Sequence, residues 1–300
     1  MNESQIKEKA IAYEALLAFF SDEKKAWEVL ESLNIDYSSS FASYTREFTS
    51  SMEEEARFNS IWRNIRSSFL SSKIEFSVLN NPGDVHFLYY TGNKDILSNP
   101  KLTFLGSVMP SLQARQDTAL AVIEAIKNGY TIMAPFESGL GPYALSVAIK
   151  MGGNVVAVLS SELSKCPNEA LLPLMEKIYD KGMLLTQFAP SVKREKWHVV
   201  LRNRFLSSFS DGFYFAEEKD GGPSWSIIDG ALKSGKRVAI ASSAILNPNY
   251  TWCRDRLDKG AFSIKKPSEI KKLFASKTKK KETSEKKEPD LFSFFGENEC

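Results

Sequence analysis

Apolar positions recur at helical spacing through the first quarter of the chain. Apolar residues return every three or four positions in 10–20 and again in 26–33, with Ser21 and Asp22 as turn and cap residues between the two runs. This pattern is typical of amphipathic helices that bury one face. It predicts a small helical domain over residues 1–73.

Short β-rich runs alternate with amphipathic helical runs in the next part of the chain, residues 74–264. The predicted strands are a connector strand at 87–90, followed by 102–106, 130–134, 154–159, 183–188, 212–216 and 237–241. Helical runs such as 112–127 and 169–179 lie between them. The alternation predicts an α/β fold with a doubly wound, mostly parallel Rossmann-like sheet. Ligands of such sheets bind in the crevice beyond the carboxyl ends of the strands.

The final part, residues 265–300, is predicted to be a disordered charged linker with a terminal aromatic peptide. Residues 277–288 combine low hydrophobicity with dense charge of both signs. The last ten residues regain large apolar side chains, including Leu291, Phe292 and Phe295. A tethered docking peptide and a chance apolar end are both open explanations.

The composition indicates a globular protein and favours neither a disulfide-rich nor a membrane-spanning one. With 300 residues, 43% of them hydrophobic, the chain can bury a proper core, and a net charge of +2 does not by itself indicate nucleic acid. The three cysteines are far apart in the sequence and favour neither a disulfide framework nor a zinc site. We find no signal-peptide pattern and no run of about eighteen apolar residues, so we expect a cytoplasmic protein.

The densest cluster of basic residues lies at 193–204, with the sequence Lys-Arg-Glu-Lys-Trp-His-Val-Val-Leu-Arg-Asn-Arg. We place it directly ahead of a helix predicted at 205–209, with its arginines exposed in a loop. Guanidinium groups bind phosphate in a bidentate manner, and a helix N-terminus adds N–H groups. A solvated basic turn is the alternative for such a cluster taken alone. The candidate anion-binding residues are Lys193, Arg194, Lys196, Trp197, Arg202, Asn203 and Arg204.

Three loops that follow predicted strands add candidate phosphate contacts. Gly106 and Ser107 form a turn after the first strand of the series, Gly139 opens a helix, and Ser224 precedes another helix. None of these loops has dinucleotide-fingerprint or Walker-A spacing, so we predict no NAD(P), no ATP and no other cofactor.

Two features bear on whether the protein is an enzyme, one in favour and one against. Glu217 and Glu218 are candidate general acid/base groups of a nucleotide-cleaving enzyme. The chain has two histidines, His86 in the connector and His198 in the basic cluster, and neither suggests a nucleophilic triad.

Several of these parts, in this order, resemble the DNA-processing protein A family (DprA, also called Smf). The resemblance extends from about Glu75 to Ser268. The segments that carry it are 87–93, 105–108, 152–159, 166–172 and 202–204. The sequence departs from the family pattern where Val108 replaces an Arg and where Val199-Val200 replaces Phe-Pro. These departures remove a phosphate contact and a stacking platform.

The resemblance implies a non-enzymatic protein that binds single-stranded DNA, forms a homodimer through its α/β domain and loads the RecA recombinase. In this reading Arg202 and Arg204 contact phosphates, Asn203 fixes a nucleotide, and Trp197 or Tyr143 stacks on bases.

Two alternatives stay open beside this reading. One is a nucleoside-monophosphate-processing enzyme of the lysine-decarboxylase-like Rossmann group, although the Gly-Thr and trailing Glu of that group are missing at 220–225. The other is a family member that has lost DNA binding. The end of the chain also looks like peptides that bind the bacterial sliding clamp, with Leu291, Phe292 and Phe295 as anchors.

Overall fold

The structure, a computed structural model, describes residues 1–33, 35, 41–81 and 85–274. Three helices form its N-terminal part: α1 (Glu3–Phe20), α2 (Glu23–Ser32) and α3 (Met52–Leu70). Each begins after a side chain that accepts a hydrogen bond from the amide three residues on, and these capping residues are Asn2, Asp22 and Ser51. Within the described ranges, no helix combines the length and apolar character needed to cross a bilayer.

One sheet organises the rest of the described chain. Its strands are β1 (Ser77–Asn80), β2 (Phe87–Tyr90), β3 (Lys101–Leu105), β4 (Thr131–Pro135), β5 (Val155–Val158), β6 (Met183–Thr186), β7 (Gly212–Phe215), β8 (Arg237–Ala241) and β9 (Phe262–Ile264). The strand order is β1-β2-β6-β5-β4-β3-β7-β8-β9. All neighbours are parallel except β1 with β2 and β2 with β6. The predicted doubly wound, mostly parallel sheet is confirmed. The seven predicted strands lie within two residues of their predicted bounds, whereas β1 and β9 were not predicted.

Helices cover both faces of this sheet. They are α4 (Leu112–Lys127), α5 (Leu140–Lys150), α6 (Leu172–Lys181), α7 (His198–Phe209), α8 (Trp225–Lys233), α9 (Ser242–Leu246) and α10 (Trp252–Asp258). The first three share one apolar core with α1 to α3, and the other four pack into a second core on the opposite face. The strand order reverses between β3 and β7, so the switch-point crevice lies beyond the carboxyl ends of these two strands.

Two predicted boundaries are wrong. Helix α7 begins at His198 rather than at 205, so the second half of the basic cluster, 199–204, is helical. The ordered chain also continues past 264, because a 3-10 helix, Pro267–Leu273, buries Ile270 and Leu273 against α4 and β8. Burial of these apolar side chains explains why the segment is part of the fold. The remainder of the predicted C-terminal segment, 275–300, lies outside the described residues.

The N-terminal helices are fixed to the sheet through β2. Tyr89 is buried on this strand and donates a hydrogen bond to the Glu14 carboxylate of α1, at 2.9 Å. Trp27 of α2 stacks on His86, with ring centroids 3.8 Å apart. Burial raises the pKa of Glu14 from its usual 4.5 to about 7, with the Tyr89 hydroxyl acting in the opposite direction and nearby Glu23 in the same direction.

The buried Glu14 should make stability depend on pH. Its carboxyl group ionises more easily in the unfolded chain than in the folded protein, so raising the pH from about 4.5 to 7 lowers the free energy of unfolding, by up to roughly 3 kcal/mol. Glu14→Gln should lose this decline and become the more stable protein above pH 7, as measured by urea denaturation at several pH values. Glu3→Gln, an exposed substitution on the same helix, is the matched control. Parallel stability curves for the wild type and Glu14→Gln would contradict the assignment.

Candidate nucleic-acid interface

Helix α7 divides the Arg202-Asn203-Arg204 triplet between two faces. Successive helical residues are rotated by about 100°, so the two arginines point in nearly opposite directions. Arg202 is 3% exposed and Asn203 is 6% exposed, whereas Arg204 is exposed. The expectation that both arginines are exposed loop residues is therefore wrong, and the triplet does not form a single anion-binding surface.

Arg202 is a buried cation held by several groups at the carboxyl end of β5. Its Nη1 lies 3.8 Å from Oε1 of Glu137 and donates to the Val158 carbonyl at 3.4 Å. Its Nε donates to Oδ1 of Asn203 at 2.9 Å. Burial lowers the pKa of Arg202 to about 10, the Glu137 carboxylate acts in the opposite direction, and Arg194 adds to the lowering. The guanidinium is still charged at neutral pH.

Asn203 connects α7 to the turn ahead of α8. Its Nδ2 donates to the Pro223 carbonyl at 3.2 Å and to the Ser226 hydroxyl at 3.4 Å. Because Asn203 also accepts from Arg202, it links the buried cation to that turn. These contacts give Asn203 a structural role in the described conformation.

The loops after β3 and β4 fill each other's space. Gly139 has φ +77, and a Cβ placed there would lie 2.1 Å from the Ser107 carbonyl oxygen, so the position requires glycine. Ser107 is 3% exposed; its amide donates to the Glu217 carbonyl at 2.6 Å and its carbonyl accepts from the Leu140 amide at 3.1 Å. A Cβ at Gly106 would lie 2.2 Å from Leu140 Cδ1. The predicted phosphate contacts Gly106, Ser107 and Gly139 are thus packed together. The amide and the carbonyl of Ser107 are already hydrogen-bonded within the protein.

Two glutamates occupy helix N-termini beside the switch-point crevice. The Glu217 carboxylate accepts from the amide of Ser111 at 3.1 Å and also from its hydroxyl, at the start of α4. The Glu218 carboxylate accepts from the Ser224 amide at 3.4 Å, at the start of α8, and burial raises the pKa of Glu218. The predicted phosphate contact at Ser224 is therefore bonded to a carboxylate of the chain itself.

A third glutamate holds the arginines. Oε2 of Glu137 lies 3.1 Å from Nη2 of Arg194, and Oε1 accepts from the Ser160 hydroxyl. Together with its pairing to Arg202, this makes Glu137 the centre of a small charged cluster. The sequence does not indicate this role of Glu137, because its three partners lie in other segments of the chain.

A group of exposed cations lies outside this crevice, around the first turns of α7. We call the exposed side chains of Lys193, Arg194, Lys196, Trp197 and Arg204 the α7 basic surface. The Trp197 side chain is 57% exposed. It shares one helix face with Arg204, seven residues further on, because such residues lie two turns apart. The sequence-predicted residues therefore separate into two groups. One is exposed around the start of α7, and the other is buried or partly buried: Arg202 and Asn203 on α7, and Gly106, Ser107, Gly139 and Ser224 in the loops.

A groove of about 1380 Å³ runs beside this surface, between α7 and the helices α1 and α2. Arg204 and Trp197 line one side of it, and aromatic rings lie deeper inside. These aromatic residues include Trp27, His86, Phe87 and Phe188. On the opposite side, formed by α1, α2 and the residue that caps α2, four acidic residues outnumber one lysine: Glu14, Asp22, Glu23 and Glu28 against Lys24. A phosphate backbone is therefore favoured on the α7 side only.

Comparison with known proteins gives matches in both sequence and structure. Residues 75–275 match the family described as DNA recombination-mediator protein A. The DNA processing protein DprA of Streptococcus pneumoniae is 27% identical over 174 residues, which are 58% of this chain and 61% of that protein. DprA of Bacillus subtilis is 24% identical over 162 residues, 54% of each chain. The aligned part thus spans little more than half the length of these relatives.

Two solved structures share the fold. The X-ray structure of DNA processing protein A from Streptococcus pneumoniae superposes with a TM-score of 0.64 and 20% identity, over 89% of this chain and 94% of that one. A structure of DNA processing protein A from Helicobacter pylori, described for its single-stranded DNA binding mode, gives a TM-score of 0.57 and 20% identity, over 67% of this chain and 97% of that one. Since the family match covers well over half of the sequence, the chain belongs to the DNA recombination-mediator protein A family, which includes the DprA and Smf proteins.

Proposed function

We propose that this chain binds single-stranded DNA through the α7 basic surface and takes part in DNA processing or recombination. The observation that carries the proposal is the grouping of four exposed cations with an exposed Trp197 at one end of α7. Cations that follow the backbone and an aromatic ring that stacks on bases are the two elements of single-strand recognition. Membership of the family and the described DNA binding of its Helicobacter pylori member support the same reading.

We propose a binding protein rather than an enzyme. Glu217 and Glu218, the candidate acid/base groups, both accept hydrogen bonds from backbone amides near helix N-termini. These bonds occupy the positions at which a nucleotide phosphate would bind in a switch-point crevice. The geometry therefore favours the DNA-binding reading over nucleoside-monophosphate processing.

The α7 basic surface should give the protein a preference for single-stranded over duplex DNA and an affinity that falls with salt concentration. Lys193, Arg194, Lys196 and Arg204 supply four cations, so log affinity for single-stranded DNA should fall against log salt with a slope of roughly −3. Duplex DNA should bind more weakly, because its bases are stacked away from Trp197. Fluorescence anisotropy with a labelled oligonucleotide, single-stranded and paired, at several salt concentrations measures both quantities. Equal affinity for the two forms, or no binding at low salt, would contradict the proposal.

Replacement of Arg202 and of Arg204 by Ala should have different effects on DNA binding and on stability. Arg204→Ala should weaken DNA binding and change the free energy of unfolding by about 1 kcal/mol or less, because Arg204 is exposed. Arg202→Ala should lower the free energy of unfolding by roughly 3 kcal/mol, because it breaks a buried ion pair. DNA titration and urea denaturation of the same preparations test both variants.

Lys150→Ala is the control for removal of one positive charge, since Lys150 is exposed at the far end of α5. It should change neither DNA affinity nor stability appreciably. A stable Arg202→Ala protein with strongly reduced DNA affinity would return Arg202 to the role of a direct phosphate contact.

Family membership also supports two partners for this activity, a second copy of the chain and the RecA recombinase. We propose that the chain forms a homodimer through its α/β part and loads the RecA recombinase onto single-stranded DNA that it protects. Sedimentation of the purified chain as a monomer at tens of micromolar would refute the dimer. Failure of the protein to speed RecA assembly on DNA would refute the loading role.

The terminal peptide is proposed to contact a sliding clamp through Leu291, Phe292 and Phe295, which lie outside the described residues. Deletion of residues 288–300 should leave DNA binding and RecA capture unchanged while abolishing capture of the clamp in a pull-down. Mutation of Glu297 and Glu299 to Gln within the full chain is the control for lost charge without lost apolar anchors. Equal clamp capture by the full and truncated chains would refute the contact.

A further inference from the structure

We propose that Arg194, Arg202 and Ser160 form a binding subsite for a phosphate group, and that Glu137 is a built-in competitor for it. The Glu137 carboxylate accepts hydrogen bonds from Arg194 and Ser160 and forms an ion pair with Arg202 at 3.8 Å, the contacts that a bound phosphate would make. The identity of the natural ligand as a DNA phosphate rests on the proposed function, whereas the subsite itself does not. Glu137 then determines how tightly this protein holds DNA.

The donors of the subsite suit a tetrahedral oxyanion. Arg194 approaches one carboxylate oxygen of Glu137 at 3.1 Å, and Arg202 lies 3.8 Å from the other, which also accepts from Ser160. Two guanidinium groups and a hydroxyl are the side chains that bind phosphate most specifically in proteins. A phosphate has more acceptor oxygens and more negative charge than a carboxylate, so it can satisfy the same donors.

Burial of Arg202 requires an anion at this place. The Arg202 side chain is 4% exposed, and an unpaired buried guanidinium would strongly destabilise the fold. Either Glu137 or an external anion can supply the opposite charge. The folded protein therefore always needs one occupant of the subsite, but the pairing does not specify which one.

The subsite opens to solvent on one side. The Arg194 side chain is 41% exposed and that of Glu137 is 23% exposed, so an anion can reach the cluster from outside. Arg194 also belongs to the α7 basic surface. A single strand bound on that surface therefore brings its phosphates next to the carboxylate.

Exchange of the occupant needs only a side-chain rotation. The backbone on both sides of Glu137 is fixed, because the Phe136 amide donates to the Val158 carbonyl at 2.9 Å and the Leu140 amide donates to Ser107. The side chain itself is partly exposed and can turn into solvent. Rotamer changes of partly exposed side chains are fast compared with binding, so Glu137 lowers the apparent affinity in proportion to the time that it occupies the subsite.

The test removes the charge of Glu137 and keeps its shape. Glu137→Gln should bind single-stranded DNA roughly ten-fold more tightly at low salt, with a salt slope steeper by about 0.7 from one additional phosphate contact. Inorganic phosphate alone should raise the melting temperature of Glu137→Gln more than that of the wild type. Glu176→Gln, an exposed substitution on α6, controls for loss of one negative charge and should behave as the wild type.

A second variant covers the case in which Glu137→Gln folds poorly. Glu137→Asp keeps the charge but is shorter by one methylene, so it cannot contact all three donors, and its phosphate response should lie above that of the wild type. DNA affinity and phosphate response equal to those of Glu176→Gln in both Glu137 variants would overturn the inference. A phosphate response in Glu137→Gln, without DNA binding by either protein, would support the subsite and refute the proposed function.

Discussion

The structure depends on the pairing of polar groups at the carboxyl edge of the parallel sheet. Helix N-termini leave backbone N–H groups there, and α7 adds a buried guanidinium. Unpaired groups of this kind destabilise a fold by several kcal/mol in all. The chain meets the requirement with three of its own carboxylates, Glu137, Glu217 and Glu218. The loops that carry them hold the strands, the helices and α7 in one arrangement.

This internal pairing explains where an external polyanion can bind. Because Glu217 and Glu218 already bond to amides at helix N-termini beside the switch-point crevice, the proposed polyanion site is the group of exposed cations around the start of α7. The inner face of this helix contributes Arg202 and Asn203 to the fold, and its outer face presents Trp197 and Arg204. One helix therefore combines a structural role on its inner face with the proposed binding role on its outer face.

The sequence predicts those parts of the fold that local periodicity determines. Buried strands are continuous apolar runs between turns, and each predicted strand was found. The start of α7 was missed because Trp197 lacks a capping hydrogen bond and the charged residues ahead of it obscure the helical spacing. The ordered segment after 264 was missed because its two buried residues, Ile270 and Leu273, stand among lysines. The three partners of Glu137, Ser160, Arg194 and Arg202, are distant from it in the sequence, and only tertiary structure brings them together.

The position of Phe274 has a practical consequence for work with this protein. Its ring packs on Tyr130, with centroids 4.2 Å apart, just before β4 begins, and therefore at the amino edge of the sheet. Trp197 and its neighbouring cations lie at the opposite, carboxyl edge. A fluorophore, an affinity tag or a surface anchor joined directly after residue 274 therefore starts from the edge of the sheet remote from the start of α7. Immobilisation by this route presents Trp197 and the cations beside it outward, toward the solution.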